Sequence, residues 1–163
     1  APSNTLWFVF DQDGDGQVDL GYIDKGDSNK IKYRWHNARS APPDLASSFA
    51  DGFGIAHNPT YVSIAQSNYT KGSGAVLPLQ EFQQPLYVVN QFTASDGTGS
   101  TYQNQFHYYH ARMHVQGRGF AGFEIQRVFD TRNSLYTHDY VGQTFPFVGM
   151  HKQRLVYQSN GTT

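Results

Sequence analysis

The chain has 163 residues, of which 12 are Lys or Arg and 13 are Asp or Glu, so its formal net charge is −1. This length suits one domain, or one domain with part of a neighbour, and the lack of a basic stripe argues against a nucleic-acid partner. Cysteine is absent, which argues against a small disulfide-stapled domain, and no apolar run is long enough to span a bilayer. The aromatic content of 15% and the 16 glycines favour an all-β chain of short antiparallel strands.

The first predicted element is a unit of strand, loop and strand. Residues 6–10 and 20–24 are rich in aromatic and β-branched side chains and are bounded by turn residues, which is typical of strands. A third short strand is predicted over residues 31–35, after a turn. We therefore assign residues 1–36 to one β unit built around the loop 11–19.

This loop has the composition of a calcium site. Aspartates occupy its positions 1, 3, 5 and 9, and glycines occupy positions 4 and 6, where the backbone must turn sharply. Calcium prefers roughly six to eight oxygen ligands, and alternate residues of a tight loop can direct theirs to one point. An EF-hand is excluded because Tyr22 stands where that motif has a bidentate Glu; a solvated acidic turn is the alternative. We predict a Ca²⁺ site with these ligands: the side chains of Asp11, Asp13, Asp15 and Asp19, and the backbone carbonyl of Gln17.

The chain beyond this unit is predicted to contain a connector and a second β segment. Residues 37–54 form the connector, because APPD and DGFG within it both have turn sequences. Asp44 is in position to cap a short helical turn through Phe49. Residues 55–163 follow as an antiparallel meander with local connections. Its strands are predicted over residues 58–65, 86–92, 101–114, 120–129, 135–140 and 155–157.

Three histidines and a glycine-rich turn are the other candidates for chemistry. On one strand, His110 and His114 would share a face and His107 would point the other way, so a zinc site there lacks a third ligand. Polar pairing across strands is the plainer interpretation. The sequence GRG at residues 117–119, with Gly122, lacks the strand-to-helix context of a phosphate loop, and a bulge or tight bend between two long strands explains these glycines better.

The sequence contains no recognisable catalytic arrangement. The acidic residues outside the predicted calcium loop are scattered along the chain. Glu124 lies in the middle of a predicted strand, where it is either a lone buried acid or a partner of Arg127. Arg118 is expected to stack on Phe120 or Phe123, or to pair with Glu124. A G-x-S-x-G elbow and a cysteine nucleophile are both absent. We therefore predict that the chain is not an enzyme and has no catalytic residues.

The calcium-loop unit resembles a known repeat. The sequence FVFDQDGDGQVDL at residues 8–20 is similar to an FG-GAP or VCBS repeat, which is the calcium-loop blade of integrin-like β-propellers. The resemblance implies that residues 1–36 form one calcium-binding blade. A lone blade leaves open edges and an uncovered face, so we expect it to pack on the second part of the chain or on another chain.

The rest of the chain resembles the SpvB and Tc-toxin B-component family. The similar motifs are DGFG at 51–54, PTYV at 59–62, FHYYH at 106–110, GRGFAGF at 117–123, VFD at 128–130, Tyr140, and FPFVGM at 145–150. They occur in the order that the family shows, so the resemblance covers most of the chain.

Together, the two resemblances imply a structural role in a large secreted bacterial toxin related to Rhs/YD-repeat proteins. In such proteins a β-propeller joins a hollow β-shell that encloses a toxic C-terminal domain. The chain would be an assembly segment at the propeller-to-shell junction, excised from a longer polypeptide. Its partners would be other segments of that polypeptide or toxin-complex subunits. It would lie outside the cell or on the bacterial surface, where calcium is near millimolar.

A calcium-dependent carbohydrate-binding or adhesion module is the alternative function. Exposed rings such as Trp7, Trp35 or Tyr87 would then stack on sugars. A lectin should expose one or two coplanar rings beside the metal. The toxin-segment hypothesis expects rings in cross-strand pairs and a metal enclosed by its own loop, so the exposure of these rings separates the two functions.

Overall fold

The computed structural model describes residues 5–24, 30–34 and 45–159. Their regular secondary structure consists of β-strands, and every strand pair but one is antiparallel, which confirms the predicted all-β class. The chain divides into two compact units, Ala1–Leu45 and Ala46–Thr163. The second unit begins inside the predicted connector 37–54, and the predicted domain limits stay a prediction. The described residues contain no helix that could cross a membrane.

The first unit contains a three-stranded antiparallel sheet in the order β1-β2-β3. Its strands are β1 (Thr5–Phe10), β2 (Asp19–Asp24) and β3 (Lys30–Arg34). Gly21 of β2 pairs with Phe8 of β1 and lies beneath aromatic rings. A Cβ atom at Gly21 would come within 2.6 Å of the Phe8 ring and 2.7 Å of the Phe10 ring. Glycine therefore allows the two rings to lie across the neighbouring strand.

The second unit is built on a nine-stranded sheet. Its strands are β4 (Phe49–Ala50), β5 (Ala56–Ser63), β6 (Tyr69–Thr70), β7 (Leu79–Glu81), β8 (Tyr87–Ser95), β9 (Thr101–His114), β10 (Gly119–Asp130), β11 (Leu135–Val141) and β12 (His151–Gln158). The main order is β12-β11-β10-β9-β8-β5-β4, and β6 and β7 also pair with β9. The long strands of the predicted meander are thus confirmed.

The helical turn predicted through Phe49 is wrong. Residues 45–48 have no helical structure, and Phe49 pairs with His57 in the β4–β5 ladder. Asp44, the predicted cap, lies outside the described residues. Pairing with a neighbouring strand gives the Phe49 backbone hydrogen-bond partners that one isolated helical turn would not supply.

One edge of β9 changes its partner along the strand. Residues 101–105 pair with β8, residues 108 and 109 pair in parallel with β6, and residues 112–114 pair with β7. On its other edge, β8 pairs with β5 from Tyr87 to Ala94, almost its whole length. The sheet therefore forks between Gln105 and Tyr108.

The core of the second unit is centred on Tyr108. Its ring lies 4.7 Å from that of Phe123 on β10, and its hydroxyl donates a hydrogen bond of 3.1 Å to the Val89 carbonyl. Burial raises the pKa of Tyr108 to about 12. The buried cluster consists of Ile64, Val88, Tyr108, Ala111 and Phe123. Apolar burial here joins β8, β9 and β10 to the segment that carries Ile64.

A β-bulge interrupts the pairing of β9 with β10. The register shifts between Phe120 and Gly122, which confirms the bulge predicted from the glycine-rich sequence. Gly122 has a φ of 84°, and His110 on the facing strand has a φ of 54°, which is uncommon for a residue with a Cβ. Gln143, only 4% exposed, donates hydrogen bonds of 2.7 Å from Nε2 to the carbonyls of both residues.

Candidate functional site

The predicted calcium loop lies between β1 and β2, whose pairing brings its ends together. Phe10 pairs with Asp19, so residues 11–18 form a closed arch. Gly14 and Gly16 have φ values of 77° and 79°, conformations that glycine adopts without a steric penalty. The glycines therefore stand where the sequence predicts that the backbone must turn.

The aspartates of the loop fix its backbone. Asp11 accepts hydrogen bonds from the N–H groups of Gly14 (2.7 Å) and Gly16 (2.9 Å) through its two oxygens. Asp13 accepts one from the N–H of Asp15 at 3.2 Å. Such bonds between side chains and nearby backbone hold each carboxylate in one orientation.

Three of the predicted ligands lie together. Asp11, Asp13 and Asp15 each contribute one carboxylate oxygen to a group in which all the oxygens lie within 4.8 Å of one another. Calcium binds oxygen at about 2.3–2.6 Å, so oxygens around one ion are separated by up to about 5 Å. The three carboxylates therefore fit a single calcium ion.

Asp19 and Gln17 have other roles in this geometry. Asp19 is 4% exposed, and its Oδ2 accepts a 2.8 Å hydrogen bond from the N–H of Gln12, which ties the two ends of the loop together. Its carboxylate does not belong to the group of three. Gln17 donates its N–H to Asp15 at 2.8 Å. The ligand roles of Asp19 and of the Gln17 carbonyl stay predictions.

The histidines of β9 take part in polar pairs. His107 Nε2 lies 2.9 Å from the Thr70 hydroxyl, and His110 Nδ1 lies 2.9 Å from a Glu124 carboxylate oxygen. Within the described ranges, the one group of three or more ligand-type side chains with metal spacing is that of the loop aspartates. Polar pairing is therefore confirmed for His107 and His110.

The partners predicted for Arg118 and Glu124 are wrong. The Arg118 guanidinium lies 3.7 Å from the ring centroid of Phe145, which is distant in sequence. Glu124 also lies near Arg112, at 3.8 Å, and not against Arg127. Glu124 and Arg127 are three residues apart on β10, and side chains alternate along a strand, so these two point to opposite faces of the sheet.

A family comparison covers almost the whole chain. The sequence profile of the family described as the insecticide toxin TcdB middle/N-terminal region matches residues 1–153. The chain belongs to this TcdB family. No curated protein matches it. The match includes the predicted calcium loop and reaches into β12. The Tc-toxin part of the resemblance is therefore confirmed, whereas the FG-GAP/VCBS and SpvB parts stay predictions.

The rings considered as sugar platforms differ in exposure in this TcdB family member. Trp7 is 46% exposed, and its ring lies 4.8 Å from that of its cross-strand neighbour Tyr22. Tyr87 is half-buried. Trp35 lies outside the described residues. Trp7 is thus both exposed and part of a cross-strand aromatic pair.

A polar face around Arg127 is a feature that the sequence pattern does not reveal. Arg127 of β10 pairs in register with His107 on β9 and His138 on β11. Its guanidinium lies 5.3 Å from the Tyr136 ring centroid and 5.9 Å from that of Tyr109. Burial, and then the Arg127 charge, lower the pKa of both histidines. The alternation of side chains predicts which face of its own strand each residue occupies. Only the pairing of β9, β10 and β11 in register brings Arg127 and the two histidines together.

Proposed function

We propose that the chain is a structural, non-catalytic segment of a secreted bacterial toxin of the Rhs/Tc type. It would lie at the junction of a β-propeller with a β-shell, and its loop 11–19 would bind a structural calcium ion. The observation that carries the proposal is the TcdB family match over residues 1–153. Its partners would be other segments of the same toxin polypeptide or subunits of a toxin complex.

The loop geometry supports the calcium part of the proposal. Two carboxylate charges 4.8 Å apart repel each other by about 0.9 kcal/mol even in water, and the loop brings three together. A dication among them would turn this repulsion into attraction. Because Asp11 directly follows β1, a bound ion would also fix the loop to the end of that strand.

Exposed apolar side chains support the assembly part. Trp7 and Val9, which lie on the same face of β1, are 46% and 68% exposed, and Phe145 and Phe147 in the second unit are each more than 50% exposed. Apolar residues exposed in groups mark interaction surfaces on soluble proteins. We propose that neighbouring toxin segments cover these residues.

Thermal unfolding followed by tryptophan fluorescence tests the calcium site. Both tryptophans, Trp7 and Trp35, belong to the unit Ala1–Leu45, so their signal reports on that unit. With a Kd of about 0.1 mM, about 10 mM calcium should stabilise the unit by about 2.7 kcal/mol relative to EDTA. The Asp13→Asn/Asp15→Asn variant should lose most of this stabilisation, because neutral amides replace two charged ligands.

Asp96→Asn is the matched control for the loop variant. Asp96 accepts hydrogen bonds from the N–H groups of Thr98 and Ser100 in an exposed turn, as the loop aspartates do from their neighbours. Its variant should keep the full calcium effect. A wild-type melting temperature that does not change with calcium would contradict the calcium site. Full stabilisation by calcium in the Asp13/Asp15 variant would contradict the ligand assignment.

Amide hydrogen exchange at β12 tests the assembly role. β12 ends the strand order of the described sheet, so alternate N–H groups point away from β11 with no further described strand beside them. We expect these amides to exchange about tenfold or more slowly in the complete toxin than in the 163-residue chain. Amides of β9, which has strands on both sides, serve as the internal control. Equal exchange of β12 in both proteins would argue against assembly through this edge.

A further inference from the structure

A pocket opens at the fork of the sheet in the second unit. β8 leaves β9 after the pair Gln91–Gln105, and β6 begins to pair at Tyr108, so no described strand covers this edge of β9 between them. The cavity has a volume of about 310 Å³ and is lined by Gln91, Gln105 and His107, among others. Small-molecule pockets start at about 300 Å³, so this one suits a ligand of about one sugar ring.

Side-chain amides line the pocket. Those of Gln91 and Gln105 form no hydrogen bond to any described residue. Asn68 and Asn90 also line it, and Asn68 Nδ2 donates to Asn90 Oδ1, which leaves the Asn68 side-chain oxygen as an acceptor. An amide offers both a donor and an acceptor, so it can bind hydroxyl groups in either direction.

The positive charge of the pocket comes from Arg127. Within the described part of the chain, no carboxylate forms an ion pair with its guanidinium. By contrast, Arg132 lies 3.1 Å from Asp130, and Arg154 lies 2.6 Å from Asp139. Arg127 is half-buried among aromatic rings, where a cation without a counter-ion is unfavourable. An anionic ligand in the pocket would provide that counter-ion.

The remaining walls of the pocket are neutral. Burial, and then the Arg127 charge, lower the pKa of His107, so its imidazole is uncharged near pH 7. The rings of Phe129 and Tyr136, with centroids 4.6 Å apart, add an aromatic surface. The pocket thus combines one cation, several neutral hydrogen-bonding groups and an apolar wall.

We propose that this pocket binds an acidic sugar, that is, a pyranose ring that carries one carboxylate. The planar guanidinium of Arg127 matches a carboxylate in a bidentate pair. The amides would bind ring hydroxyls, and the aromatic wall would contact the C–H face of the sugar. A phosphate ester fits less well, because its charge of about −2 would meet a single arginine among the lining residues. The site lies within the second unit and does not depend on the calcium loop.

A comparison of D-glucuronate with D-glucose tests the proposal. The two sugars share the ring and differ in one carboxylate. Each would be titrated into the ¹⁵N-labelled 163-residue chain in EDTA, with chemical shifts as the measurement. We expect millimolar affinity for glucuronate, as for other ligands of this size, and glucose to bind about tenfold or more weakly. The shifts should centre on Gln91, Gln105 and Arg127.

Two variants locate the site, and a third is the control. Arg127→Gln should weaken glucuronate binding about tenfold or more, because it removes the charged pair. Arg132→Gln removes another arginine that lies over a tyrosine ring, at 4.5 Å from Tyr102, and should leave binding unchanged. Gln91→Ala/Gln105→Ala deletes amides that have no partner in the described part, so it should fold normally and bind several-fold more weakly.

Four results would overturn the proposal. Equal affinity for glucose and glucuronate would remove the role of the carboxylate. Acetate bound as tightly as glucuronate would mean that the pocket recognises an anion and not a sugar. Unchanged binding in both pocket variants would place the ligand elsewhere, and binding that requires calcium would move it to the first unit.

Discussion

Gln143 stabilises an irregular strand pair with one buried side chain. Its Nε2 bridges the carbonyls of His110 and Gly122, which lie 33 and 21 residues away in sequence. Both residues have positive φ values, Gly122 at the bulge that interrupts the regular ladder and His110 two residues beyond it on the facing strand. A side-chain amide thus supplies donors that a neighbouring strand would supply elsewhere.

A Gln143→Met variant tests this role. Methionine has a similar volume but no donor, so two carbonyls would be left without this partner. We expect a loss of about 1–3 kcal/mol for each carbonyl left unsatisfied. Urea unfolding followed by circular dichroism measures it. Gln126→Met, at an exposed position of β10, is the control and should change stability by less than about 0.5 kcal/mol. Equal stability of the two variants would show that packing alone accounts for Gln143.

The strands β9, β10 and β11 have two chemically different faces. One face carries the core around Tyr108 and Phe123. The other carries Arg127 between His107 and His138. The second face is polar yet half-buried, so burial, and then the nearby Arg127 charge, lower the pKa of both histidines and disfavour their protonation.

This arrangement predicts a pH dependence of stability. The pKa of His107 and of His138 in the folded chain lies below its ordinary value of 6.5, so below pH 6.5 the unfolded chain binds more protons than the folded one. Stability is therefore full above pH 6.5 and falls as the pH drops from there toward the folded pKa values. We expect urea unfolding to show lower stability at pH 5 than at pH 7.

The double variant His107→Gln/His138→Gln should reduce this pH dependence. Glutamine keeps a hydrogen-bonding group for Thr70 and for the Tyr157 hydroxyl, which lies 2.7 Å from His138 Nε2, but it does not titrate. Both proteins would be unfolded in saturating calcium and followed by circular dichroism, so that the acidic loop contributes little to the measured change in stability. A variant that retains the wild-type difference between pH 5 and pH 7 would assign the effect to other groups.

At the scale of the whole molecule, the two units differ in how much apolar surface they can bury. The second unit has nine strands and a cluster of buried side chains. The first has three described strands, and Leu6 and Val9 are largely exposed on them. Small sheets with little buried surface are marginally stable, so we expect the first unit to depend more on a bound ion or on a neighbouring segment.

This difference predicts two unfolding transitions in the isolated chain. Tryptophan fluorescence should report the first unit at a lower temperature than the circular dichroism transition of the second unit. Calcium should raise the first transition and leave the second within about 1 °C, because the predicted ligands all lie in the first unit. Coincident transitions at every calcium concentration would mean that the chain unfolds as one cooperative body.

The local features of this protein follow from the sequence itself. The alternation of aromatic and β-branched residues predicts the long strands, and the Asp and Gly spacing predicts both the turns of the loop 11–19 and the grouping of Asp11, Asp13 and Asp15. The glycines after residue 116 predict the bulge. These signals are readable because each depends on the steric and hydrogen-bonding preferences of residues close together in the chain.

Only the tertiary structure decided which distant side chains meet. The pairing of Glu124 with His110 and Arg112, the bridge made by Gln143, and the pocket around Arg127 all depend on strand register, on the bulge and on the fork in β9. A one-residue change of register would move every side chain of a strand to the opposite face. For that reason the strands could be predicted from single segments, whereas the sites between strands could not.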